Sequence, residues 1–229
     1  MAEHRFEGFS RELAEFLGEL DHHNNKAWFD QNRERYERVM LEPAKRFVAA
    51  MQPALAAITP ELHAEPRVGG SIMRVARDTR FSKDKTPYKP HLDMMFWQGE
   101  GRNKEAPCFF MRIGARALWV GAGLHGFTPQ QLERYRVAVA DETRGAALRD
   151  AIRAVTARGF ELNEPHYKRV PRGYPADHPD AALLRHDALY AVRTDPLPEA
   201  LFGPRAPAYC GQLFAALRPL QAWLVDTLS

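Results

Sequence analysis

The sequence has few cysteines and no apolar run as long as a membrane span. Its two cysteines, Cys108 and Cys210, stand about a hundred positions apart in apolar surroundings, which favours buried thiols over a disulfide framework or a compact zinc motif. The N-terminal residues lead into an amphipathic segment rather than a secretory signal. We therefore expect a cytoplasmic protein that makes no membrane contact.

The composition lacks the marks of a disordered or fibrous chain. Apolar residues make up 45% and charged residues 27% of the 229 positions, both near the averages of soluble globular proteins. A chain of this length can bury a sufficient core without disulfides. We expect a single domain over 1–229, and no motif in it indicates a cofactor.

The chain falls into three parts, which are a helical segment at about 9–58, a strand-rich middle at about 71–121 and a mostly helical remainder at about 128–229. Strand-like stretches lie at 71–75, 91–97, 108–113, 117–121 and 189–192. The stretches at 108–113 and 117–121 should form a hairpin across Gly114-Ala115-Arg116. Because the strands cluster between helices without regular alternation, the pattern predicts an α+β fold. Its central sheet should be mainly antiparallel, with the N-terminal, middle and C-terminal helices packed on it.

Helix starts are marked by capping or first-turn residues. These are Ser10, Asn25, Pro43 and Thr128. The apolar face of the first helix repeats at three- and four-residue spacing from Leu13 to Leu20. A last helix should begin near Ala206, and Pro219 can kink it.

Positive charge is concentrated in one segment, 72–91. It carries six cations against two acids, Asp78 and Asp84. The cations are Arg74, Arg77, Arg80, Lys83, Lys85 and Lys89. Their mutual repulsion must be offset by the two acids or by a bound anion, and arginine forks are suited to phosphate and carboxylate. The segment is therefore either an anion site or a solvated loop tied by Arg–Asp pairs.

A second basic group, Lys168, Arg169 and Arg172, lies on a segment shaped by Pro171 and Gly173. If this segment folds over the first one, the combined site could hold a phosphate or polyphosphate. The alternative is an ordinary surface turn.

The run from Arg74 to Lys89, Arg-x-x-Arg-Asp-x-Arg-Phe-Ser-Lys-Asp-Lys-x-Pro-Tyr-Lys, resembles the signature of the family called domain of unknown function 2461. Three other blocks agree in order, namely Asn24-Asn25-x-x-Trp-Phe, the glycine-rich 121–126 turn and 168–174. The resemblance spans about 6–223. It implies an intracellular single-domain protein, and it carries over no catalytic residue.

Three sequence patterns resemble functional motifs but are better explained as ordinary structure. The run 121–126 spells G-x-G-x-x-G, but the next helix starts at Thr128 and another helix follows, which excludes a Rossmann unit. Ser82 and Lys85 match S-x-x-K, yet Pro87 argues against the helix that this motif needs. The nine histidines lack the close pairing of common zinc motifs, so no metal site is predicted.

The favoured function is recognition of an anionic small molecule or a nucleic acid by the basic residues. The candidate ligand-binding residues are Arg74, Arg77, Asp78, Arg80, Ser82, Lys83, Lys85, Tyr88, Lys89, Lys168, Arg169 and Arg172. One alternative is an enzyme acting on a phosphate-bearing substrate, with Asp78 or Asp84 as base or His178 as acid. The other is a structural or partner-binding protein.

Overall fold

A computed structural model describes residues 5–99 and 105–228. It confirms the α+β prediction, because this part of the chain contains an antiparallel sheet of six strands with helices before, between and after them. The helices are α1 (Glu12–His22), α2 (Lys26–Gln31), α3 (Arg33–Tyr36), α4 (Glu42–Ala56), α5 (Pro129–Ala140), α6 (Glu142–Thr156) and α7 (Ala206–Leu228). The strands are β1 (Leu62–His63), β2 (Leu92–Gln98), β3 (Cys108–Ile113), β4 (Ala117–Leu124), β5 (Glu161–Leu162) and β6 (Leu189–Pro196), in the sheet order β1-β2-β3-β4-β6-β5.

The predicted hairpin between β3 and β4 is present, and Gly114 N donates to Ala117 O at 2.9 Å across its turn. The prediction of a strand at 71–75 is wrong. Met73 N does bond to Asp93 O at 3.0 Å, but the chain then leaves β2 to form a separate loop, so no ladder develops. The strands β1 and β5 were missed because two residues are too few to show alternation.

Four of the predicted helix starts are present, at Asn25, Pro43, Thr128 and Ala206. Asn25 caps α2, with its side chain accepting from Trp28 N at 3.0 Å, and Thr128 forms a reciprocal capping box with Gln131. The last helix begins at Ala206 as expected. At Ser10 the prediction is wrong, because α1 begins one residue later than a Ser10 cap requires and its cap position has no side-chain bond.

The predicted helix start at Pro43 is also confirmed, but the helix before it does not end. A single π-helical turn, Glu37–Leu41, carries the chain from α3 directly into α4, and Pro43 lies in the first turn of α4. Such turns widen the helix by one residue without ending it. Pro43 has no backbone N–H to continue the ladder of helical hydrogen bonds, and the change from π-helical to α-helical bonding lies directly before it.

The chain divides into two compact units. The first unit comprises 1–96, 110–119 and 194–212. The second unit comprises 97–109, 120–193 and 213–229. The expectation of a single domain stays a prediction. None of the helices that the structure describes combines the length and apolar character needed to cross a bilayer.

The first unit has an aromatic cluster near its N-terminus. Phe6, Phe9 and Phe47 are all buried, with ring centroids 5.2 to 5.3 Å apart. Edge-on and tilted rings at this spacing pack favourably beyond their burial alone. Within the same unit Arg35 and Arg38 donate to Glu12 of α1, and these bonds lower the pKa of Glu12 to about 2.

In the second unit, the tilted rings of Phe109 and Phe214 pack with centroids 5.2 Å apart, and the buried Tyr135 donates its hydroxyl hydrogen to Leu183 O at 2.9 Å. Gly123 has φ of +139°, and a Cβ there would lie 2.2 Å from Leu189 O. Glycine at this position therefore allows β4 to lie close to β6. The glycine-rich run thus belongs to a strand in an antiparallel sheet, which agrees with the rejection of a dinucleotide site.

Candidate functional site

The run from Val75 to Lys89 forms a closed loop in the first unit, here called the basic hairpin. Lys89 N donates to Val75 O at 2.9 Å and Arg77 N donates to Pro87 O at 2.8 Å. An isolated antiparallel bridge joins Ala76 to Tyr88 between these bonds. The two ends of the hairpin are therefore paired, and 78–86 forms its tip.

Asn24 holds the base of the basic hairpin. Its Nδ2 donates to Tyr88 O at 2.9 Å, and its Oδ1 accepts from Tyr88 N at 3.0 Å. The Tyr88 ring stacks on the buried Phe29 ring with centroids 4.1 Å apart and planes at 17°. Tyr88 is predicted above as a ligand residue, and in the structure its main chain and its ring both anchor the hairpin to α2.

At the tip, the two acids are each bonded to one arginine. Arg80 forms a two-pronged pair with Asp78, with Nε to Oδ1 at 3.0 Å and Nη2 to Oδ2 at 2.7 Å. Arg77 pairs with Asp84, which also accepts from Thr86 N at 2.9 Å. Bonds from the main chain of Thr86 and from Arg77 lower the pKa of Asp84 to about 2, and bonds from Arg80 lower that of Asp78. Both carboxylates are therefore ionised, and their hydrogen bonds are made to residues of the same loop.

Three cations of the basic segment remain without a carboxylate partner among the described residues. Arg74 and Lys83 are exposed and make no salt bridge there. Lys85 Nζ donates to the carbonyl of Thr79 at 2.8 Å, which orients the ammonium group but leaves its charge unbalanced. Ser82 N bonds to the same carbonyl at 3.3 Å, so Thr79 O organises the tip.

Lys89 leads from the hairpin to a charged cluster on Asp93, which the sequence analysis missed. Asp93 lies 3.5 Å from Lys89 Nζ, 3.2 Å from His91 Nε2 and 2.6 Å from Arg112 Nε. Its side chain is only 16% exposed. Burial by itself would raise the pKa of Asp93, but the neighbouring His91 and the hydrogen bonds from Arg112 hold it well below its usual range.

The available sequence signal for this cluster was weak. In the sequence, the two-residue spacing of His91 and Asp93 places both on one side of an expected strand. Arg112, however, lies on β3, 19 positions from Asp93. Only the register between β2 and β3 brings them together. That register is set by the fold and not by any local pattern.

The second basic group lies in the second unit. Lys168, Arg169 and Arg172 are exposed on an irregular segment, and none of them makes a hydrogen bond or ion pair with the residues that the structure describes. His178 Nδ1 accepts from Asp180 N at 3.0 Å, so this ring atom serves a local turn. The hypothesis that the two basic groups converge on one ligand stays a prediction.

Asn163 anchors the start of this irregular segment. Its Oδ1 accepts from Tyr190 N at 2.8 Å, and its Nδ2 donates to Ala188 O at 3.1 Å. His186 Nδ1 lies 3.2 Å from the same Nδ2. Burial lowers the pKa of His186, and the resulting neutral ring can accept this bond.

One comparison with known proteins gives a near-full-length match. The family model described as "Conserved hypothetical protein (DUF2461)" matches residues 12–223. No curated protein matches the chain. The matched range includes the basic hairpin, the Asp93 cluster and the second basic group.

Proposed function

The chain belongs to the DUF2461 family, and we propose that it binds a phosphorylated or polyanionic ligand through its basic hairpin. The observation that carries this proposal is the charge left over after internal pairing. Asp78 and Asp84 are each bonded to an arginine, while Arg74, Lys83 and Lys85 keep unbalanced charges. A bound anion would offset their mutual repulsion.

The base of the hairpin supports this proposal. Because Asn24 and Phe29 hold Tyr88 through both its main chain and its ring, the tip starts from a fixed base. A loop that is ordered before binding loses less conformational entropy when a ligand arrives. Function on a loop carried by rigid elements is a common arrangement.

The states of the two acids favour binding over acid–base catalysis at the hairpin. A general base works best when its pKa lies near the operating pH. The pKa values of Asp78 and Asp84 are lowered instead, because both carboxylates accept hydrogen bonds. They are weak bases at neutral pH and serve to order the arginines.

The charge of the whole chain favours a small ligand or a short polyanion. The net charge is only +3 over 229 residues, whereas proteins that bind duplex nucleic acid without sequence preference rely on a broad basic surface. Pyrophosphate and tripolyphosphate are therefore suitable first probes.

The test is thermal melting at low salt with pyrophosphate. A ligand present at a hundred times its dissociation constant stabilises the native state by about 2.7 kcal/mol, which gives a clear rise in melting temperature. We expect this rise in the wild-type protein and its loss in the double variant Lys83→Ala/Lys85→Ala. The matched control is Lys45→Ala, which removes a surface lysine already paired with Glu42 and should keep the rise.

The proposal fails if pyrophosphate and tripolyphosphate give no rise, or if the double variant keeps the full rise. The variant Arg169→Ala/Arg172→Ala tests the predicted convergence separately. Loss of the rise in that variant as well would support a ligand shared by both basic groups.

A further inference from the structure

A cleft of about 520 Å³ lies beside the Asp93 cluster, entirely within the first unit. Its walls come from the end of α1, the residues before β2 and the β3–β4 turn. The polar and aromatic residues in these walls are Asp21, His22, His91, Arg112, Arg116 and Trp119. None of them belongs to the basic hairpin.

A glycine allows two of these walls to come close together. At Gly18 of α1 an added Cβ would make only an ordinary contact with Ala115 Cβ, at 3.8 Å, so that position does not require glycine. A Cβ on Gly114 would lie 2.9 Å from the Trp119 ring, closer than real side chains tolerate. Glycine at this position therefore lets the indole lie against the turn, at the edge of the cleft.

The charge around the cleft is positive. Among its lining residues, Arg112 and Arg116 stand against one acid, Asp21. Asp93 is already shared by Lys89 and Arg112, so it cannot neutralise both of them. The cleft thus resembles the hairpin tip in having more cations than carboxylates, but it is concave.

Two arginines have donors left for a ligand. Arg112 uses Nε and Nη2 on Asp93, which leaves Nη1 out of that pair. Arg116 makes no side-chain hydrogen bond or ion pair with any residue in 5–99 or 105–228. An arginine carries five N–H donors in a planar fork that matches the oxygens of a phosphate group.

We propose that this cleft is a second binding site, which takes a small organic phosphate ester. The phosphate lies against Arg112 and Arg116, with His91 held by Asp93 beside it, and the organic group lies against Trp119. The volume falls within the range of small-molecule sites, and the polar groups in the walls can fix the orientation of a ligand. The proposal does not depend on the hairpin, since the two sites share none of the cleft residues.

Isothermal titration calorimetry with phenyl phosphate tests the proposal. The wild-type protein should bind phenyl phosphate more tightly than inorganic phosphate, because only the ester has a group for Trp119. Arg116→Ala should weaken phenyl phosphate binding about ten-fold, the usual scale for losing one charge-assisted contact to phosphate. Arg116 has no side-chain partner in the described structure, so this variant should fold normally.

Two controls locate the site. Arg205→Ala removes another exposed arginine of the first unit and should leave the affinity unchanged, as should Lys83→Ala/Lys85→Ala at the hairpin. Absence of binding, binding unaffected by Arg116→Ala, or binding lost in the hairpin variant would each overturn the proposal. Equal affinity for inorganic phosphate would overturn the role given to Trp119 and with it the organic ester.

Histidine NMR signals give a second readout that does not rely on affinity. Phenyl phosphate should shift the imidazole signals of His22 and His91, which line the cleft, and leave the buried His186 signal in place. The variants His22→Gln and His91→Gln assign the signals. Unchanged His22 and His91 signals at saturating ligand would contradict the proposed location.

Discussion

The two basic segments look alike in sequence but differ in how their charges are used. In the basic hairpin, Arg77 and Arg80 are bonded to acids of the same loop and order its tip. In the second segment, Lys168, Arg169 and Arg172 have no partner among the described residues. The comparison separates charges that build a loop from charges that remain for a partner, and counting charges in the sequence cannot make that separation.

Each segment is held by one asparagine. Asn24 donates to and accepts from the main chain of Tyr88, and Asn163 acts in the same way on Ala188 and Tyr190. An asparagine amide carries both a donor and an acceptor, so it can substitute for a neighbouring strand at an irregular position. Both segments are therefore anchored by an asparagine side chain, and they differ mainly in whether their charged residues are paired.

The difference between the two basic segments should have its largest effect on stability at Asp93. Lys89, at the foot of the hairpin, meets a carboxylate that is largely buried and shared with Arg112 and the His91 ring, whereas the counterpart in the second unit is the exposed His166–Asp187 pair at 3.5 Å. Asp93→Asn leaves the cations without their partner. We expect it to lower the free energy of unfolding by about 2 kcal/mol in chemical denaturation.

The matched control is Asp187→Asn, which should change stability by no more than about 0.5 kcal/mol, as is usual for exposed pairs. Equal losses in the two variants would remove the distinction drawn between the segments.

The same carboxylate gives a pH dependence with a defined sign. The pKa of Asp93 is lower in the folded protein than in the unfolded chain, so its contribution is fully present above the ordinary aspartate pKa of about 4. The contribution is lost as the pH falls below that value towards the folded pKa. Asp93→Asn should therefore differ from wild type less at pH 3 than at pH 7, and a constant difference would contradict this assignment.

The two asparagines should have smaller, local effects. Asn24→Ala and Asn163→Ala each remove bonds to main-chain groups and should each cost about 1–2 kcal/mol. In hydrogen exchange, Asn24→Ala should raise rates within 75–89 and Asn163→Ala within 164–190. Faster exchange throughout the molecule in either variant would show that the asparagine stabilises more than its own segment.

Much of this architecture was predictable from local patterns. Asn25, Thr128 and the turn at Gly114 each specify their geometry within four residues, and all three occur as expected. The strand at 71–75 failed because the chain pairs with β2 only around Ile72 and then departs into the basic hairpin, so no ladder develops. The Asp93 cluster and the cleft were not predictable, since they depend on strand register and on the packing of α1 against a hairpin turn.

A moderate effect is expected when an acid is removed from the hairpin. Asp84→Asn frees Arg77 and adds one positive charge to a tip whose Lys83 and Lys85 already lack a carboxylate partner. We expect pyrophosphate to bind about three-fold more tightly to this variant, because nearby charges act on a ligand at reduced dielectric screening. Asp177→Asn, in the second segment, is the control and should leave the affinity unchanged. Weaker binding of pyrophosphate to Asp84→Asn would mean that the Asp84 carboxylate matters more for ordering the site than for competing with the ligand for Arg77.

The smallest effect on stability should come from Phe81, although it is a large apolar residue of the hairpin. Its side chain is 94% exposed, and its contact is the Arg80 guanidinium 5.7 Å from the ring centroid. Phe81→Ser should therefore change the free energy of unfolding by less than about 0.5 kcal/mol, whereas Tyr88→Ala, which removes a ring stacked on Phe29, should cost about 2 kcal/mol or more. Similar losses in the two variants would show that the tip packs against the protein in solution, and the charges assigned there to a ligand would then have a structural role like those at the base.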